Sequence, residues 1–265
     1  MIVFAAIAPH GTLAVPEAGD GAETTQRAMA ELAQRWGASE PEATIVFTPH
    51  NVHVEGHFAV GTAERAAGTL AEWDAPHIEL EVPLDRGLAL ACVDALRRDR
   101  LAVVGVSYGG NDPQRAVMPL DWGALIPLWF LGGRAEPQVP AVIVSPARDR
   151  PPDEHVRAGA AVARAAADRR VALVASADHG HAHDPNGPYG FDPASREYDE
   201  LVVDAVRRSR LGDLLELEPS LVEAAAADSW WQLLMLHGAL GEGWRAELLS
   251  YEAPTYYGML CASFA

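Results

Sequence analysis

Val171-Ala172-Leu173-Val174-Ala175 runs directly into Ser176-Ala177-Asp178-His179-Gly180-His181. A short continuous apolar run reads as a strand buried on both faces, and here side chains able to do chemistry follow at its carboxyl end. The arrangement recurs twice. Ile2-Val3-Phe4-Ala5-Ala6-Ile7-Ala8 leads into Pro9-His10, and Thr44-Ile45-Val46-Phe47-Thr48 leads into Pro49-His50. In open α/β sheets, ligands bind in the crevice beyond the carboxyl ends of the strands. Imidazoles repeated at that place predict a site where they converge, and therefore a metal. Buried imidazoles cost free energy unless something pairs with them, and a divalent cation pairs with several at once.

Working outward, helix-like and strand-like segments alternate. Residues 23–36 carry Met29, Leu32 and Trp36 at helical spacing, and 88–96 are similar before the strand-like run 101–106. Residues 120–131 predict a buried helix and 139–144 a strand. The Ala-rich segment 153–169 predicts a helix feeding the strand at Val171. Further helices are expected over 193–208, 219–227 and 229–240, with Asp228 at the N-cap of the last. Residues 248–251 and 256–262 predict a final strand pair. Alternation of this kind implies a mainly parallel or mixed sheet covered by helices, an α/β fold. No internal repeat or linker interrupts it, so residues 1–265 are expected to form a single domain.

The net charge of −17 excludes a general phosphate-binding surface and an attraction to anionic membranes. No charge-free stretch is long enough to span a bilayer, and the chain opens on a strand without a basic leader, so no signal peptide is expected. Two cysteines, Cys92 and Cys261, are too few for a disulfide framework and suit a reducing cytoplasm.

Proline before His10 and His50 fixes the direction in which each strand ends, a way to aim an imidazole. His53 and His57 are candidates to orient a ligand through the other ring nitrogen. His179, His181 and His183 alternate and would point one way in an extended chain; one of them is a candidate acid or base, because an imidazole titrates near neutral pH. Asp228 and Glu252 compete for a third ligand position. Two imidazoles and a carboxylate form the facial triad of non-haem Fe(II) sites, and zinc sites use the same residue types. The Pro- and Gly-rich segment 184–191 predicts a loop walling the pocket, with Pro188, Tyr189 and Phe191 available to pack on a bound molecule.

Pro9-His10, Pro49-His50, Ser176-Ala177-Asp178-His179-Gly180-His181 and His237-Gly238-Ala239-Leu240 together resemble the class III extradiol ring-cleavage dioxygenases, the superfamily of the protocatechuate 4,5-dioxygenase catalytic subunit. The resemblance runs nearly the whole chain in order. It implies extradiol cleavage of a catechol- or aminophenol-type ring with Fe(II) and O₂, giving a ring-opened semialdehyde. It maps iron ligation onto His10 and His50, the carboxylate ligand onto Asp228 with Glu252 in reserve, and acid–base work onto His181. His179, His183, Tyr189 and Glu252 are the expected substrate neighbours. Where many members carry Asp-His-Gly, this chain has Asp121-Trp122-Gly123, which hands that substrate contact to Trp122. The superfamily also includes Memo-like proteins without established ring cleavage, so a Memo-like metal-binding protein and a zinc enzyme on the same scaffold stand as alternatives. The expected partners are a small aromatic substrate, O₂ and further copies of the chain, with a small partner subunit left open. Nucleic acid and membranes are not expected.

Overall fold

The computed structural model describes residues 1–109, 112 and 115–265. Four strands form the centre of its main sheet: β1 (Ile2–Ala8), β2 (Ala43–Phe47), β8 (Ala141–Ser145) and β9 (Val171–Ser176). They run parallel, with β1 on β9, β9 on β2 and β2 on β8. Every residue of β2, β8 and β9 is buried, which is why these runs are continuously apolar rather than alternating. Parallel pairing puts all four carboxyl ends on one rim, and that fact positions the site.

The sheet has eight strands in the order β10-β11-β1-β9-β2-β8-β3-β6. Here β3 is Phe58–Gly61, β6 is Val103–Val106, β10 is Ala246–Glu252 and β11 is Met259–Phe264. The β10–β11, β11–β1 and β3–β8 pairs are antiparallel, so the sheet is mixed. The expected final strand pair is present, but Tyr256 and Tyr257 lie in the turn before β11. A second sheet of three strands, β5-β4-β7, joins Ala75–Pro83, Arg65–Leu70 and Val117–Pro119. It was not anticipated, although the alternation Ile78-Glu79-Leu80-Glu81-Val82, with Ile78, Leu80 and Val82 buried, is a period-2 signal.

Two apolar layers pack on the main sheet. One contains α2 (Arg86–Arg98), α4 (Pro152–Ala165), α5 (Pro193–Arg207), α6 (Pro219–Ala224) and α7 (Trp230–Leu240); the other contains α1 (Glu23–Ala38), α3 (Trp122–Phe130) and the small sheet. α4 and α7 touch backbone to backbone at two glycines. A Cβ on Gly159 would fall 1.8 Å from the Met235 carbonyl oxygen, and one on Gly238 would fall 1.9 Å from that of Val156. This close crossing fixes where α7 begins, and hence where Asp228 sits. Asp228 is not the helix cap. Ser229 occupies the N-cap position and its side chain makes no capping bond, which leaves the Asp228 carboxylate for the cleft.

Candidate metal centre and its cleft

Each strand end delivers one part of the site. His10 leaves β1, His50 leaves β2, Asp178 leaves β9, and Asp228 arrives from the segment preceding α7. The Nε2 atoms of His10 and His50 lie 3.4 and 3.3 Å from Asp228 Oδ2. The two imidazoles meet edge-on with centroids 4.9 Å apart. One donor atom from each of His10, His50 and Asp228 falls within 4.8 Å of the others.

The surroundings orient these donors. His10 is 1% exposed. Its Nδ1 lies 2.9 Å from Ser176 Oγ, whose hydroxyl donates to the Gly123 carbonyl at 2.5 Å. The serine proton is thereby committed, so Ser176 accepts from His10 Nδ1–H and Nε2 faces the cluster. His50 is placed by glycine: a Cβ on Gly123 would lie 2.8 Å from His50 Cβ. The loop carrying His50 is tied to the start of α3 by the pair Asn51 and Asp121. Asn51 N–H donates to Asp121 Oδ2, and Asp121 N–H donates to Asn51 Oδ1 at 3.2 Å.

The electrostatics suit a cation. Burial disfavours charged His10, yet Asp178 and Asp228 outweigh it and raise its pKa to about 9. Burial likewise opposes the Asp228 carboxylate, but His10, His50 and His181 hold it far below the usual range. Asp228 Oδ1 is buried and has no hydrogen-bond partner among the described residues. A cluster that already draws one proton, and keeps an unfilled carboxylate oxygen, fits a divalent metal held by His10, His50 and Asp228.

The three alternating histidines do not share a direction, contrary to expectation. His181 faces the cluster: its Nδ1 donates to the His179 carbonyl at 2.7 Å, which turns Nε2 toward Asp228 Oδ2 at 3.9 Å. Fully buried His179 turns away, with Nδ1 2.9 Å from Ser229 Oγ, and burial lowers its pKa. His183 donates from Nε2 to Asp199 at 2.9 Å. Asp199 also receives Gly180 N–H and the Tyr251 hydroxyl, so a buried carboxylate grips this loop from behind. Neither His179 nor His183 lines the cleft. Glu252 does not line it either: its carboxylate accepts Thr25 N–H at 2.7 Å, at the amino end of α1. His53 and His57 lie outside the cleft, as do Pro188 and Phe191.

The cleft has a volume of about 1110 Å³ and aromatic walls. On one side His50, Trp122 and Trp73 follow one another in contact, the first pair tilted and the second edge to face, with centroids 4.6 and 5.4 Å apart. On the other, His181 lies 5.8 Å from Tyr257 with ring planes 25° apart, and 5.7 Å from Tyr189. Tyr257 needs Gly11 beneath it, where a Cβ would approach within 2.3 Å. Trp73, Tyr256, Tyr257 and Arg148 were not read from the sequence. For these four residues, the aromatic pair Tyr256-Tyr257 between Pro254 and Gly258 is the local signal that could have found a wall.

Fold and site together define an α/β scaffold with a candidate metal centre at the carboxyl ends of its parallel strands. The family model for the catalytic LigB subunit of aromatic ring-opening dioxygenase matches residues 4–261, and the chain belongs to that family. The family is that of the aromatic ring-opening dioxygenases, and His10, His50 and Asp228 form a cluster that could hold a metal ion. Protein CA_C1420 of Clostridium acetobutylicum is 23% identical over 252 residues, covering 92% of this chain and 53% of that protein. The chain thus spans about half the length of this curated relative. The crystal structure of uncharacterized protein JW3007 from Escherichia coli K12 shares the fold, with a TM-score of 0.67, 20% identity, and 98% and 99% of the two chains covered. Among the described residues, no helix is long and apolar enough to cross a membrane.

Proposed function

We propose that the protein holds Fe(II) through His10, His50 and Asp228 and opens a catechol- or aminophenol-type ring with O₂ beside the hydroxyl pair, giving a semialdehyde. The observation that carries this reading is the convergence of two imidazole nitrogens and a carboxylate oxygen within 4.8 Å, with His181 Nε2 facing the same oxygen at 3.9 Å. Bound iron would orient the phenolic oxygens and O₂ and let electron density pass from ring to oxygen. The protein supplies the rest. His181 accepts the substrate's hydroxyl proton at Nε2 and returns it later, its other nitrogen fixed by the His179 carbonyl. Trp122 and Tyr257 hold the ring between them and keep water away. A positioned titrating group beside the ligands favours an enzyme over a Memo-like binding protein. Two buried free cysteines support a reducing, cytoplasmic setting.

The test is anaerobic Fe(II) loading, then oxygen uptake with a panel of catechols and aminophenols, beside a zinc-loaded control. Uptake with formation of a ring-opened chromophore by the iron protein alone is expected. Full iron occupancy without uptake across the panel overturns ring cleavage, and activity of the zinc form would reassign the metal.

A further inference from the structure

The cleft holds a cation for which the proposed reaction has no use. Arg148 follows β8 by three residues, on the rim that carries His10 and His50. Its Nη2 donates to the carbonyl of Pro49, the residue before His50, at 3.0 Å. Its guanidinium carbon lies over the Trp231 ring, 5.0 Å from the centroid, and Trp231 stands three residues after Asp228. The side chain is thus gripped between the two segments that bring His50 and Asp228 to the cluster.

Arg148 makes no ion pair among the described residues, whereas Arg150, also lining the cleft, is neutralised by Glu154 through contacts of 2.9 and 2.7 Å. Three of the acids lining the cleft are engaged elsewhere. Asp149 accepts Gly56 N–H at 2.7 Å, Asp178 accepts His10 N–H at 3.1 Å, and Asp228 faces the imidazoles. Among the described residues, the remaining N–H groups of Arg148 have no hydrogen-bond partner, in a cleft walled by aromatic rings.

We propose that Arg148 anchors an anionic tail, a carboxylate in its chemistry, on the aromatic substrate. This rests on the reading that the phenolic ring sits at His10, His50 and Asp228. A guanidinium held by one carbonyl and one indole is already ordered, and its planar fork matches two carboxylate oxygens. Size agrees: about 1110 Å³ exceeds the roughly 300–1,000 Å³ of ordinary small-molecule pockets, leaving room for a ring and a side chain. Charge agrees as well. A chain of net charge −17 repels anions at long range, so anion preference here must come from a short-range contact.

The test reads binding without turnover. Anaerobic, metal-loaded protein is titrated by tryptophan fluorescence with 3-(3,4-dihydroxyphenyl)propanoate and with its uncharged amide. The expected wild-type preference for the acid is about tenfold to a hundredfold, the range of a hydrogen bond to a charged group. The ratio should collapse toward one in Arg148→Gln. In Arg148→Lys, which keeps the charge and the stem but loses the fork, it should be intermediate, and that variant carries the test should the glutamine variant not fold. Equal affinities in the wild type, failure of the acid to bind, an unchanged ratio in both Arg148 variants, or loss of the preference in Arg150→Gln instead would each overturn the proposal. Admitting O₂ afterwards separates the two readings: acid preference without ring opening refutes cleavage and leaves the anchor standing, while ring opening of both compounds without preference does the reverse.

Discussion

Ser176 Oγ stands 2.9 Å from His10 Nδ1 and donates its own hydrogen bond to the Gly123 carbonyl. One strand end thereby sets the nitrogen that a histidine from the neighbouring strand presents to the cluster. The same glycine leaves the space in which His50 packs. The donors are fixed by a scaffold of ordinary backbone and hydroxyl groups, before any metal arrives.

Removing that hydroxyl should loosen the site without dismantling it. Groups that orient ligands typically contribute about 10–100-fold in metal affinity. Ser176→Ala should weaken metal binding by about that factor, read by competition with a chromogenic chelator. Undiminished affinity would show that His10 is oriented by burial alone.

His10→Ala and His50→Ala should each abolish stoichiometric metal binding while circular dichroism stays unchanged. Glu252→Gln should retain full occupancy, because its carboxylate caps α1 rather than facing the cluster. Metal analysis of the three proteins decides this, and full occupancy in either histidine variant would remove that residue from the ligand set.

His181→Ala should keep metal and substrate and lose turnover by roughly 10²–10⁴-fold, the usual contribution of a positioned acid–base group. A folded but metal-free variant would make His181 a ligand instead. Unchanged turnover would leave the proton transfer to another group of the cleft.

His155 supplies a pH signature independent of the site. It is fully buried in α4, donates from Nδ1 to the Pro151 carbonyl at 3.1 Å, and packs against Phe58. Burial lowers its pKa to about 4. The unfolded chain takes up that proton near pH 6.5 and the folded chain does not, so this contribution is complete above about pH 6.5 and is lost as pH falls toward 4. It should amount to roughly 3 kcal/mol. Denaturant unfolding of His155→Gln between pH 4.5 and 6.5 should show a correspondingly shallower loss of stability than the wild type. Equal slopes would mean that the folded state accommodates the imidazolium.

The small sheet escaped a reading of the chain because β4 and β7 are short and half exposed, leaving β5 with no legible partner. The pattern of β4, with buried Ala66 and Leu70 among partly or fully exposed neighbours, carries little apolar signal. Its place is set by contact instead: a Cβ on Gly68 would fall 1.7 Å from the Leu120 carbonyl oxygen. Likewise Trp73 and Trp122 are far apart in the chain, and only the folded small sheet brings them edge to face beside His50.

What the sequence by itself determined is the parallel centre and the strand-end histidines. Strands buried on both faces must be continuously apolar, so β1, β2 and β9 are legible as runs, and proline marks where His10 and His50 leave them. Only the tertiary structure decided which carboxylate joins them, since Asp228 and Glu252 differ by where α7 and β10 pack and not by any local pattern. It also decided which way each of His179, His181 and His183 turns. That direction depends on Ser229, Asp199 and Tyr251 approaching from other elements, and hydrogen-bond partners remote in sequence leave no periodic trace in the segment they orient.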